Sequence, residues 1–293
     1  MRIDSHQHFW RYQPQRDAWI TAEMAVLRRD FLPEELGREL AANKMDACIA
    51  VQADQSEAET EFLLELAARH EQIAAVVGWV DLLAPNVARR VRHFSQFEKL
   101  RGFRHIVQAE PDDRFLLQPD FLRGIDALGH HGLTYDLLVY PQQLPAAIEL
   151  AARFPQQPFV LDHLGKPPIK KAATCPGGPP WFAISRWHDH IYALAAHRNV
   201  FCKLSGLVTE ADWRDWKPAD FTLYLDTAFA AFGPDRLMFG SDWPVCLLAA
   251  SYAQAKQIVA DYVRQYRAAS EKAIFGENAM RFYGVKTAAW TSN

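Results

Sequence analysis

Along the chain, short runs of consecutive apolar residues alternate with longer stretches in which apolar positions recur every three or four residues. The first pattern predicts strands buried on both faces, the second amphipathic helices, and their alternation predicts repeated strand–helix units around a parallel sheet. The strand runs are Arg2–Ser5, Ala47–Gln52, Ala74–Trp79, Leu100–His105, Thr134–Val139, Phe159–His163, Val200–Ser205 and Leu237–Ser241. Eight parallel strands close a barrel, so the expected fold is an α/β one, a single (β/α)8 TIM barrel with residues 1–293 as one domain. Helical segments between the strands, such as PEELGRELAANKM and SEAETEFLLELAARHEQ, open with Pro or Ser and carry acidic residues in their first turn, as helix starts do.

The rhythm breaks once, after the sixth strand. From Gly165 to Trp181 the sequence GKPPIKKAATCPGGPPW is too rich in proline and glycine for a helix and predicts a long loop. In a parallel barrel the loops that follow the strands form the functional face, so this loop is expected to rim or cover a pocket. No repeat of fixed period and no linker to a second domain is found, and the closing TAAWTSN reads as a frayed end.

Composition narrows the class. A chain of 293 residues, 49% hydrophobic and 23% charged, suits one barrel with insertions and excludes a largely disordered protein. The formal charge of -3 is spread along the chain, which leaves no footprint for nucleic acid or an anionic membrane and points to a small-molecule partner. Cys48, Cys175, Cys202 and Cys246 form no CxxC pair and read as reduced core thiols. The N-terminus MRIDSHQHFW has no apolar stretch of signal length, and no membrane-spanning run occurs, so a cytoplasmic enzyme is expected.

The candidate chemistry sits at strand ends. His6 and His8 are two apart where the first strand finishes, and strand alternation points both to one side, into a barrel mouth. Neutral imidazole both ligates metals and hydrogen-bonds carbonyls, and a chance HxH is not rare among 11 histidines. Two further strand ends add weight to the pair: FVLDHLGKP places His163 after the sixth run, and RLMFGSDWPV places Asp242 after the eighth. By contrast His188 and His190 lie in a helical pattern, where residues two apart diverge.

HxH after strand one, LDHLGKP after strand six and MFGSDWP after strand eight together resemble the amidohydrolase superfamily, of the amidohydrolase-2 type, over nearly the whole chain. RIDSHQHFW, LRGFRH, CKLSGL and IFGENAMRFYG resemble more narrowly the branch of sugar-lactone hydrolases that includes L-fucono- and L-rhamnonolactonases. The resemblance implies hydrolysis of a cyclic aldonolactone to the open-chain sugar acid. It also implies a ligand set of at most His6, His8, His163 and Asp242, holding one zinc or none. Strand four reads LRGFRH, without the bridging lysine of binuclear members, and strand five, LTYDLLVYP, lacks their histidine.

Lactone opening needs a nucleophilic water, oxyanion stabilisation and a proton for the leaving alkoxide. Asp242 is the candidate general base, and His6, His8 and His163 are the candidate electrophilic groups, either holding one zinc or donating directly to the oxyanion; of Arg104 and His105 only one should point inward, with His105 slightly preferred as a catalytic group because an arginine at a barrel mouth often only bridges loop carbonyls. Arg104, Gln52, Trp10, Lys166 and Trp243, at or just after strand ends, are candidates for binding a polyhydroxylated ring. Two rival readings remain: a hydrolase or decarboxylase of an aromatic-derived, muconolactone-like dicarboxylate, and a barrel that binds without catalysis. The first needs clustered basic groups, for which Arg104 and Lys166 are the obvious candidates.

Overall fold

The structure, a computed structural model, describes residues 1–170 and 181–286. Eight parallel strands follow one another around a single sheet in chain order: β1 (Ile3–Gln7), β2 (Ala47–Val51), β3 (Ile73–Gly78), β4 (Leu100–His105), β5 (Thr134–Leu137), β6 (Phe159–Leu161), β7 (Val200–Leu204) and β8 (Leu237–Phe239). The ring closes where Gln7 meets Trp243 in a parallel bridge and His8 N donates to Trp243 O at 2.7 Å. This is the expected (β/α)8 barrel, with helices between the strands.

Local sequence explains the helices. Pro33 and Pro119 occupy first-turn positions of Pro33–Ala42 and Pro119–Gly129, where a missing N–H costs nothing. Ser56 caps Glu57–Arg69 by accepting from Glu59 N, and Ser251 with Gln254 forms a capping box on Tyr252–Tyr266. His188 and His190 lie on the helix Trp181–Ala195, as the helical pattern around them predicts.

Strand alternation separates two layers. Outward residues such as Cys48, Val76, Phe103, Tyr135, Leu161 and Phe239 pack under the helices. Inward residues Ile3, Ile49, Val51, Val77, Val160 and Met238 fill the lower barrel, sealed by Phe282 and Tyr283 of the last helix, Asn278–Tyr283. Above that apolar floor the inward positions turn polar: Arg104 on β4, Asp136 on β5, Asp162 just past β6 and Lys203 on β7, all buried. A register irregularity between Asp4 and Gln7 accompanies the inward turn of His6.

Six strands end earlier than the sequence suggests, β5, β6 and β8 by two residues and β2, β3 and β7 by one, and the ends of β6 and β8 shape the site. β6 stops at Leu161 and β8 at Phe239, because the backbone then leaves the extended region: His163, Leu164 and Lys166 have φ of 53°, 53° and 52°, and Asp242 has 58°. Non-glycine residues adopt this left-handed conformation at a cost, and such sites cluster where function needs a particular side-chain direction. Most of the proline-rich stretch, residues 171–180 with Cys175, and the closing TAAWTSN lie outside the described residues. Cys48, Cys202 and Cys246 are buried free thiols, and no described helix is long and apolar enough to cross a membrane.

Candidate active site

His6, His8, His163 and Asp242 meet at the mouth of the barrel. Asp242 Oδ1 lies 3.4 Å from His8 Nε2, 3.8 Å from His6 Nε2 and 3.9 Å from His163 Nε2, and the Nε2 atoms of His6 and His8 are 3.2 Å apart. Each side chain arrives differently. His6 comes from the irregular end of β1, His8 from the residue after it, and His163 and Asp242 from the left-handed turns that end β6 and β8. Asp4 fixes this junction by accepting from Ser241 N at 2.9 Å, Ser241 Oγ at 2.5 Å and His6 N at 3.2 Å.

Outer hydrogen bonds orient the rings. His8 Nδ1 donates to Val51 O at 2.8 Å, which turns Nε2 toward the cluster. His163 Nδ1 is held by Ser205 Oγ at 2.9 Å, and His6 Nδ1 faces Asp162 Oδ1 at 3.2 Å and Lys203 Nζ at 3.0 Å. Burial pushes His163 down to about 4 against the opposing pull of Asp242, and burial holds His6 well below the usual imidazole range. Both are neutral at pH 7. Burial alone would raise the Asp242 carboxyl, but His163, His8 and His6 outweigh it and keep the group ionised below the usual carboxylate range.

These donors fit a single metal ion. A tetrahedral zinc with ligands at about 2.0–2.1 Å spaces its ligand atoms about 3.3 Å apart, close to the separations here. His6, His163 and Asp242 offer ligand atoms within 4.8 Å of one another, and His8 Nε2 lies beside them, 3.2 Å from His6 Nε2 and 3.4 Å from Asp242 Oδ1.

The cluster floors a cavity of about 590 Å³ whose walls differ in character. Trp10, Trp19, Met24, Val245 and Leu248, from the loops after β1 and β8, line one side. Tyr140, Lys166, Thr209 and Glu210, from the loops after β5, β6 and β7, line the other. Lys166 Nζ pairs with Glu210 Oε1 at 2.9 Å; burial disfavours its charge, but Glu210 more than restores it.

Several expectations about side chains change. Arg104, not His105, points inward and lines the cavity: its guanidinium reaches Asp162 Oδ2 at 3.0 Å, His6 Nε2 at 3.3 Å and the carbonyl of Gln52. His105 faces the helix layer with Phe103, stacked on Phe115 at 4.8 Å, its Nε2 on Glu110 at 2.7 Å and its Nδ1 accepting from Trp79 Nε1 at 3.3 Å. Alternation forces the choice, since adjacent strand residues cannot share a face. Gln52 is fully buried and donates to Arg104 O at 3.1 Å, so it braces Arg104 and is no part of the cavity wall. Trp243 turns back to pack edge-on against Phe9 and Phe31 and does not line the cavity either. Trp10 and Lys166 do line it. Sequence reasoning misses Asp136, Lys203, Ser205 and Glu210; for the first two, a charged residue inside an apolar strand run, as in TYDLL and CKLSG, is the available signal.

The amidohydrolase family model matches residues 3–285. The chain is 47% identical to an L-fucono-1,5-lactonase of Burkholderia multivorans over 97% of its own length and 96% of the relative's. It is 35% identical to an L-fucono-1,5-lactonase of Burkholderia ambifaria, with the same shares covered. A solved amidohydrolase from Burkholderia multivorans with bound zinc superposes with a TM-score of 0.91 at 46% identity, covering 98% of this chain and 100% of that one.

Proposed function

The chain belongs to the amidohydrolase family, and we propose that it hydrolyses aldonolactones of the L-fucono- and L-rhamnono- type to their open-chain sugar acids, with Asp242 as the general base. The observation that carries this reading is the convergence of three imidazoles on one ionised carboxylate at the floor of a cavity sized for a monosaccharide. Its near relatives are L-fucono-1,5-lactonases.

Hydrolysis requires a water oxygen to attack the lactone carbonyl carbon, forming a tetrahedral oxyanion. Asp242 takes the proton released by that water and returns it to the ring oxygen as the ester C–O bond breaks. Arg104, a fixed cation at the cavity floor 3.3 Å from His6 Nε2, is placed to stabilise the oxyanion. A zinc ion held by His6, His8, His163 and Asp242 would polarise the carbonyl and acidify a bound water toward pH 7. His8 favours this ligand role over oxyanion donation, because its proton is committed to Val51 O.

The two cavity walls orient the substrate. Ring hydroxyls face Lys166, Glu210, Thr209 and Tyr140, while the C–H surface and exocyclic carbon lie against Trp10, Met24, Val245 and Leu248. Among the cavity's cations Lys166 is already neutralised by Glu210, which favours a polyol over a dicarboxylate. The buried free thiols suit a reducing compartment, and we place the reaction in the cytoplasm.

The test is a pH-indicator assay over L-fucono-, L-rhamnono- and dicarboxylate lactones, on protein as purified, after chelation, and after zinc is restored. Opening of the sugar lactones, lost on chelation and regained with zinc, is the expected result. Constant activity throughout would remove the zinc from the reading, and no turnover of any sugar lactone would remove the reading itself.

A further inference from the structure

Directly beneath the histidine cluster, the side chain of Lys203 rises from β7 into a fully buried cage. Its ammonium lies 2.5 Å from Asp136 Oδ2, 2.9 Å from Asp162 Oδ1 and 3.0 Å from His6 Nδ1. Tyr283 donates to Asp136 Oδ2 at 2.8 Å from below, and Arg104 donates to Asp162 Oδ2 at 3.0 Å from the side. The second carboxylate oxygen of Asp136 is buried with no hydrogen-bond partner among the described residues.

Two carboxylate oxygens and one imidazole nitrogen around a single point form the ligand set of a divalent cation, with an ammonium at its centre. To reach metal-ligand distances of about 2.0–2.2 Å the three atoms need contract by less than about 1 Å. His6 belongs to both centres: Nδ1 faces the ammonium, while Nε2 faces His8 and Asp242.

We propose that the Lys203 ammonium is a built-in cation occupying a latent second divalent-cation site made of Asp136, Asp162 and His6 Nδ1, so that the barrel accepts no external ion there. The lysine cannot dissociate, so together with Arg104 it balances the two buried carboxylates and fixes His6 from below whether or not an ion sits above it. Removing it leaves Asp136 and Asp162 with Arg104 as their one remaining cation, an uncompensated buried charge that a divalent ion relieves. The proposal draws on the zinc reading above but does not depend on it.

The experiment counts zinc. Wild type, Lys203→Ala and the charge-balanced double variant Asp136→Asn/Lys203→Met are stripped with chelator, incubated with zinc chloride, gel-filtered and analysed for metal per chain, with melting followed in parallel. Lys203→Ala is expected to retain one zinc more than wild type and to gain thermal stability on zinc addition, and the double variant to gain neither. Wild type with no zinc and Lys203→Ala with one would uphold this proposal while removing the zinc reading. Equal zinc in wild type and Lys203→Ala, or an equal increment in the double variant, overturns it. So does a Lys203→Ala chain that stays unfolded with zinc present, because an ion in that cage would restore the missing charge.

Discussion

Gly206 is the residue whose replacement tests the placement of His163 most directly. It follows β7 with φ of 67°, and a Cβ built there would stand 2.6 Å from His163 Nδ1, 2.7 Å from Cγ and 2.8 Å from Cβ. Ordinary contact begins near 3.4 Å, so Gly206→Ala must push the ring by about 0.8 Å or move β7, and atoms so close to the His163 backbone cannot swing aside freely. A displacement near 1 Å at a reacting centre costs on the order of 10²-fold in rate. The left-handed conformation adds about 1–2 kcal/mol of instability for a residue with a Cβ. Gly284→Ala separates the two effects, because Gly284 has φ of 60° and a Cβ added there would meet nothing within 4 Å. Both variants should lose similar strain-related stability in urea unfolding, beyond which Gly206→Ala alone should lose about 10²-fold in kcat on L-fuconolactone. If Gly206→Ala turns over within twofold of Gly284→Ala, His163 is not where the reaction needs it.

Further outcomes follow from other contacts. Asp242→Asn keeps the volume but removes the proton acceptor, so kcat should fall by about 10²–10⁴-fold with KM little changed, as steady-state kinetics will show. Burial raises Glu59 to about 7 from 4.5, so its contribution to stability is intact below pH 4.5 and lost as pH rises through 7. Glu59→Gln should therefore be more stable than wild type above pH 7, by up to about 3 kcal/mol, with the gap closing toward pH 4.5 in denaturant titrations. With the exocyclic carbon seated, as proposed, against the cavity-lining Met24, Val245 and Leu248, L-galactonolactone, which differs from L-fuconolactone by one added hydroxyl, should show kcat/KM about 10–100-fold lower. His105→Phe, outside the cavity, should leave kcat within twofold and cost about 1–2 kcal/mol through the stranded Trp79 N–H, measured by thermal unfolding.

The barrel was legible because its signal is periodic. β4 has the bounds read from the sequence, and the HxH, His163 and Asp242 positions converge as expected, since each lies within three residues of a strand's C-terminal end and so at the mouth of the barrel. The errors share one physical source, which is direction. LRGFRH gives no clue to which of Arg104 and His105 faces inward when both are buried, and only the packing of Phe103 under the helices settles the parity. His163 would point outward if β6 ran on as an extended strand, alongside Leu161; the left-handed turn at His163 itself brings the ring in. No local propensity encodes that turn in a histidine.

Asp136 and Lys203 show why the polar layer escaped a reading made strand by strand. Each alone contradicts the rule that charges avoid barrel interiors, and their partnership spans 67 residues of sequence. Together with Arg104 and Asp162 they make two cations and two anions from β4, β5, the end of β6 and β7, a neutral stratum between the apolar floor and the histidines. That stratum surrounds His6 with Lys203 and Asp162 at Nδ1 and Arg104 at Nε2; burial first, and then Lys203, favours the neutral imidazole that ligation requires, against the opposing pull of Asp162. The neutral state of His6 thus follows first from its full burial in the barrel, with the charges beneath it acting in opposite directions.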